Sequence, residues 1–136
     1  MIYHRTIQVE FNHCDPAGIV FYPRYFEMTN SVVENFFREV VRHSYADMMS
    51  TGHGVPTAQL GVDFHAPSRL GEVLDWRLSV TELGGSSVVF MTEAWCADEH
   101  RMTAKLVLVW VKNGRPRPWP KAMRQQISAF MEAEDA

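Results

Sequence analysis

Residues 13–23 read His13-Cys14-Asp15-Pro16-Ala17-Gly18-Ile19-Val20-Phe21-Tyr22-Pro23 and bring a carboxylate, a glycine and a helix-starting proline close together. A carboxylate beside an oxyanion-binding helix start can form a catalytic pair. A carboxylate serves as nucleophile or general base, and unpaired N–H groups at a helix start can hold an oxyanion. Asp15 precedes Pro16, which pushes its backbone toward extended geometry. Gly18 lets the chain turn sharply. Pro23 fits the first helical position, where its missing N–H costs nothing. The spacing therefore predicts a tight loop that delivers Asp15 and free N–H groups, at the positive end of a helix dipole, to one place. A structural reading stands beside this one. Asp-Pro forms turns and Asp caps helices, and on spacing alone the structural reading ranks first. Asp15 lies too far before Pro23 to be a simple N-cap, so turn formation is the rival that remains.

The other polar residues narrow the chemistry. His13-x-Asp15 has no third ligand spaced nearby, so neither a metal nor any other cofactor is expected. His13 reads instead as a pocket-lining side chain or as packing beside Asp15. There is no Gly-x-Ser-x-Gly elbow and no Ser-His-Asp arrangement. Cys14 and Cys96 make no disulfide framework, which suits small side chains in a reducing cytoplasm.

The elements that must position the loop follow from composition and pattern. The chain has 136 residues, 46% of them hydrophobic and 21% charged, with a formal net charge of −3. That length suits one domain. Without a basic run, no nucleic-acid partner is expected, and no apolar stretch approaches a membrane span. Met1-Ile2-Tyr3-His4-Arg5 lacks a signal-peptide core, which again points to the cytoplasm. Ile2 to Phe11 alternates as a strand. From Pro23 to about His43 the period becomes helical, with Phe26, Val33, Phe37, Val40 and Val41 as its apolar stripe. Ser44 can cap a short helix to about Ser50. Strands are expected over Val55 to Ala66, bent at Gly61, over Val73 to Leu83 and over Ser87 to Ala97, with a Gly84-Gly85 hairpin between the last two. Met102 to Lys112 is apolar on both faces, as a central or interface strand is. Arg115 to Pro120 reads as irregular, and Lys121 to about Glu132 as a terminal helix. The result is an α+β design, a curved antiparallel sheet of about five strands wrapped around one long helix. Uncovered sheet edges favour pairing between two copies.

Three segments carry a resemblance: Asp15-Pro16-Ala17-Gly18-Ile19-Val20 with Tyr22-Pro23 and Tyr25; His65-Ala66-Pro67-Ser68-Arg69-Leu70-Gly71-Glu72; and Leu83-Gly84-Gly85-Ser86-Ser87. In them the chain resembles the hotdog-fold acyl-CoA thioesterases, and among these the 4-hydroxybenzoyl-CoA thioesterase family, from Thr6 to Lys112. The resemblance implies a single hotdog thioesterase domain over residues 1–136. It implies a homodimer with one continuous sheet, often paired into a homotetramer, with active sites between subunits. Asp15 then attacks the thioester carbonyl or activates water, and the Tyr22 N–H polarises that carbonyl. Gly18, Tyr25 and Ser87 fall at substrate-binding positions, joined by His13 and Arg69. The resemblance reverses the ranking on Asp15. So few groups suffice because a thiolate is a good leaving group and needs no strong general acid.

One departure stands out. Family members carry basic residues at the hairpin that meets the CoA phosphates, whereas this chain has Gly84, Gly85 and Ser86 there. Arg69, Lys105, Arg115 and Arg117 are the remaining candidates. The expected activity is hydrolysis of an aromatic or short-chain acyl-CoA. Its alternatives are an acyl-carrier-protein thioesterase and a non-catalytic acyl-thioester binding protein of the same fold.

Overall fold

The computed structural model describes residues 1–133. The chain runs β1 (Tyr3–Gln8), α1 (Arg24–Phe36), α2 (Tyr45–Ser50), β2 (His53–Gly54), β3 (Thr57–Phe64), β4 (Val73–Leu83), β5 (Ser87–Cys96), β6 (Glu99–Val109), β7 (Val111–Lys112), β8 (Arg115–Pro116) and α3 (Lys121–Glu132). Strand alternation decides what faces inward. Leu74, Trp76 and Leu78 of β4, Val88, Phe90 and Ala94 of β5, and Met102, Ala104 and Leu108 of β6 are all buried. They form the concave face of an antiparallel five-stranded sheet ordered β1-β4-β5-β6-β3. A small ribbon, β2-β7-β8, lies beside it.

Helix α1 fills the concavity with Met28, Val32, Val33 and Phe36. It continues as a π-helical turn over Phe37–Val41 and stops at Arg42, whose φ of 63° is left-handed. Phe36 and Phe37 have no exposed surface, which is worth about 2–3 kcal/mol for each ring. Phe36 alone meets Tyr3, Phe90 and Phe130 edge-on, so α3 closes the open end of the core. A curved antiparallel sheet around one central helix is the hotdog arrangement, as the resemblance implied.

Four details differ from the sequence reading. The buried stripe of α1 is Tyr25, Met28, Val32 and Phe36 together with Val33, while Phe26 and Val40 are only half-buried. The sheet contacts the face one residue before Phe26, which leaves Phe26 on a cavity wall. The first strand ends at Gln8, and Phe11–His13 coils as a 3₁₀ turn because the Glu10 N–H donates to His13 Nδ1 at 2.9 Å. Val55 to Ala66 is not one strand. Pro56 has no N–H for a ladder, and His53–Gly54 pairs with β7 instead. The bend expected at Gly61 falls at Thr57–Gln59, while Gly61 pairs with Lys105 in an unbroken ladder. Arg115 and Pro116, expected to be irregular, form β8 against β7.

Candidate active site

The loop after the 3₁₀ turn folds back on itself. Cys14 bridges Val20, the Asp15 N–H donates to Ile19 O at 3.0 Å, and the Gly18 N–H donates to Asp15 O at 3.0 Å. Gly18 takes φ of 77°, where a side chain would be strained. Asp15 Oδ1 accepts the Ala17 N–H at 2.9 Å. The turn-forming role of Asp15 is therefore real, but it occupies one carboxylate oxygen. Oδ2 accepts no hydrogen bond from the described residues, and the side chain is half-buried at the mouth of the loop.

Nine residues after Asp15 the chain enters α1. Pro23 stands just before the helix, one position earlier than expected, with helical φ and ψ of −64° and −22°. The neighbouring N–H groups are used: Phe21 donates to His13 O at 2.9 Å and Arg24 to Phe21 O at 2.8 Å. The Tyr22 N–H donates to no acceptor among the described residues. An unpaired N–H at the positive end of a 13-residue helix is chemically able to donate to an anion.

A second turn, Pro67–Glu72, holds this loop in place. The Val20 N–H donates to Ser68 O at 2.8 Å, Leu70 N–H to Gly18 O at 3.1 Å, and Ile19 bridges Arg69. The turn is in turn clasped by Arg101 of β6, which is 6% exposed. Its Nη1 donates to Pro67 O at 2.9 Å, to Ser68 Oγ at 3.2 Å and to Glu72 Oε1 at 2.9 Å, while Nη2 donates to Glu72 Oε2 at 2.9 Å. Hydrogen bonding to the Arg101 guanidinium holds the Glu72 carboxyl down at about 2. Burial raises the Tyr25 phenol, and the nearby Ser68 offsets part of that rise. Sequence reasoning missed Arg101. Its one signal was a charge just before the apolar run that starts at Met102.

The expected site residues divide between two places. Asp15, Gly18, the Tyr22 N–H, Tyr25, His13 and Arg69 gather at one end of the sheet. His13 is committed to the loop through Nδ1 and its carbonyl. Tyr25 is buried beneath the loop against Phe64 and Trp76. Ser87 lies at the other end, beyond the 11 residues of β4, a separation of about 30 Å at the usual strand rise. There Gly85, Ser86 and Ser87 border an open hollow of about 340 Å³ with Arg117. Of the four candidate cations, Arg117 is the one at the hairpin.

Beside Tyr22 opens a largely apolar cavity of about 500 Å³. The Tyr22 ring meets Phe26 at 6.3 Å and Phe64 at 6.2 Å. Phe26, Asn30 and Val33 follow Tyr22 along one helix face and form one wall, with Met48, Leu60 and Leu108 opposite. Among the described residues, no three His, Cys, Asp or Glu side chains converge on a metal position.

Residues 9–127 match the family model of the thioesterase-like superfamily. The chain belongs to that superfamily. The acyl-CoA thioester hydrolase YbgC of Escherichia coli is 23% identical over 128 residues, which cover 90% of this chain and 92% of that one. Among solved structures, the 1,4-dihydroxy-2-naphthoyl-CoA thioesterase Slr0204 of Synechocystis superposes with a TM-score of 0.88 at 20% identity, covering 98% of this chain and all of that one. Staphylococcus aureus SAV2348, solved in complex with CoA, gives 0.92 at 14% identity, over 100% of this chain and 87% of that one. The BH1999 gentisyl-coenzyme A thioesterase gives 0.84 at 24% identity, over 93% and 99%. In this superfamily member Phe26 links the helix start to the cavity: its ring meets Tyr22 and lines the cavity wall.

Proposed function

We propose that this thioesterase-superfamily protein hydrolyses an acyl-CoA, with Asp15 and the Tyr22 N–H as its catalytic groups. The observation that carries the reading is the pairing of a free Asp15 oxygen with an unpaired Tyr22 N–H on one braced loop. The thioester oxygen accepts the Tyr22 N–H, which stabilises the charge that develops on it. Asp15 then acts in one of two ways. As nucleophile, its free oxygen bonds to the carbonyl carbon, the C–S bond breaks, CoA leaves as thiolate, and water cleaves the mixed anhydride. As general base, it takes a proton from water while that water attacks the same carbon. Either route yields the free acid and CoA.

The acyl group enters the cavity beside Tyr22. The motif points to an aromatic or short acyl group, and Slr0204 and BH1999 are named for aromatic acyl-CoA substrates. A space of about 500 Å³ falls within the range of small-molecule sites. It leaves room for an acyl group larger than a single ring.

The reading requires two copies of the chain. Phe64 of β3 lies at the Asp15 end of the sheet and Thr57 at the hairpin end. Antiparallel pairing of β3 with β3 of a second copy lays one chain's hairpin end beside the other's Asp15 end. That joins the separated halves of the site: Asp15 and Tyr22 from one copy, Ser87 and Arg117 from the other. The exposed edge of β3 supports such a homodimer, and dimers can pair further through the apolar outer face at Val107 and Val109. Arg117 and Arg69 then serve the CoA phosphates. Cys14 and Cys96 are unpaired, in keeping with a cytoplasmic place. No described helix is long and apolar enough to cross a membrane.

The direct test is free-thiol release from a panel of acyl-CoAs. Release with at least one member supports the reading. A folded protein that releases thiol only from acyl-carrier-protein substrates, or from none, overturns it.

A further inference from the structure

We propose that Arg101 is a positioning residue for the catalytic loop, acting through the Pro67–Glu72 turn. The proposal rests on the thioesterase reading for its kinetic consequence alone.

The side chain occupies an unusual position. Arg101 sits at the irregularity of β6, between His100, which pairs with Trp95, and Met102, which pairs with Ala94, and arginine is rarely this buried unless paired. A buried ion pair is weak support for stability, since apolar residues of like volume often do as well. What the guanidinium adds here is geometry. Its planar fork meets both oxygens of Glu72, while Nη1 also reaches Pro67 O and Ser68 Oγ. The Glu72 Oε1 that accepts from Arg101 also accepts the Arg69 N–H at 2.6 Å. Nε lies 2.6 Å from Glu99 Oε1. The Arg101 carbonyl accepts from the N–H groups of His65 and Ala66, which fixes the chain just before the turn. One residue thus holds the turn at its beginning, middle and end.

The contacts of that turn with the Asp15 loop pass through Ser68, which Arg101 holds directly, through Arg69, which it holds by way of Glu72, and through Leu70 between Arg69 and Glu72. Ser68 O receives Val20, Arg69 bridges Ile19, and Leu70 donates to Gly18. These are the residues between Asp15 and Tyr22. The separation of the Asp15 oxygen from the Tyr22 N–H is therefore set from β6, and a displacement of about 1 Å between reacting groups can lower a rate by about 10²-fold.

The experiment uses the double variant R101M/E72Q in the full-length protein. Met fills much of the arginine volume, Gln still accepts the Arg69 N–H, and the one charge left without its partner, Glu99, is exposed to solvent. The expected result is a fold retained with kcat lowered on the order of 10- to 10²-fold and KM changed less than threefold. Hydrogen exchange at the Val20 and Leu70 amides speeds up, while the Phe90 and Leu106 amides in mid-sheet keep their protection. Unchanged kcat with unchanged loop exchange overturns the proposal. Exchange that rises equally in loop and sheet also overturns it, because Arg101 is then only a stabilising residue. R101K covers a double variant that does not fold. It keeps the charge beside Glu72 but replaces the fork with one nitrogen, and is expected to fold with a smaller loss of kcat and faster Val20 exchange. Wild-type values for both would refute the positioning role. The exchange measurement needs no substrate, so failure of this proposal is distinguishable from failure of the thioesterase reading.

Discussion

Replacing Glu72 by Gln should remove an acid-dependent part of the protein's stability. Arg101 holds the Glu72 carboxyl at about 2 in the folded protein, against 4.5 in the absence of partners. A carboxyl lowered by folding stabilises the folded state above its unfolded value and loses that contribution as pH falls through its folded value. The window therefore runs from about 4.5 down to about 2. Each pH unit between the two values is about 1.4 kcal/mol, which caps the contribution at about 3 kcal/mol. Solvent reaches the 28% exposed side chain and screens this to on the order of 2 kcal/mol. At about 3–5 °C per kcal/mol for a domain of this size, E72Q should melt on the order of 8 °C lower at neutral pH. Asp75 is also held below its ordinary value. Against the opposing effect of partial burial, hydrogen bonds from His4 and Arg77 hold it low. It is common to both proteins and cancels in the difference. The assay is thermal unfolding of wild type and E72Q from pH 7 to pH 2. The two melting curves should converge as pH falls below about 4.5. A constant offset across the whole range would refute the linkage and assign the loss to packing.

Two further outcomes follow from the geometry. Asn30→Trp, at an exposed position on the cavity wall, should raise KM for acyl groups larger than one ring by on the order of 10-fold and spare acetyl-CoA; equal effects on both would remove the cavity from the acyl path. Light scattering at micromolar concentration should give twice the 15.6 kDa chain mass or a multiple of that dimer. A stable, active monomer would contradict the shared site.

What the sequence revealed and what it hid divide by range. The Asp15 loop was legible because its determinants are local: Pro16 restricts Asp15, Gly18 takes the left-handed turn, and Pro23 presets the helix. Ser44 was legible as a cap for the same reason, and it accepts the Asp47 N–H as expected. The phase of the long helix was legible in part: Val33, Phe37 and Val41 are buried as expected, while Phe26 and Val40 are half-buried, because the sheet and not the helix decides which face is covered. Arg101 was hidden because its partners lie 29 to 34 residues away in the chain, and no local rule relates them. The cavity draws its walls from α1, α2, β3 and β6, so no single segment announces it. Ser87 shows the converse. A motif match placed it in the site, yet in one chain it stands at the far end of the sheet from Asp15.

The most direct test of the central claim is the turnover of Asp15→Asn against acyl-CoA. The Asn side-chain oxygen can still accept the Ala17 N–H, so the loop and the melting temperature should be kept. Its amide is a poor nucleophile and a poor base, so kcat should fall by on the order of 10²- to 10⁴-fold. Affinity for a non-hydrolysable acyl-CoA should change far less, since the cavity and the cations hold that ligand. A variant that keeps more than about a tenth of wild-type kcat, a smaller loss than such a group supplies, would contradict the account and leave Asp15 a turn former alone.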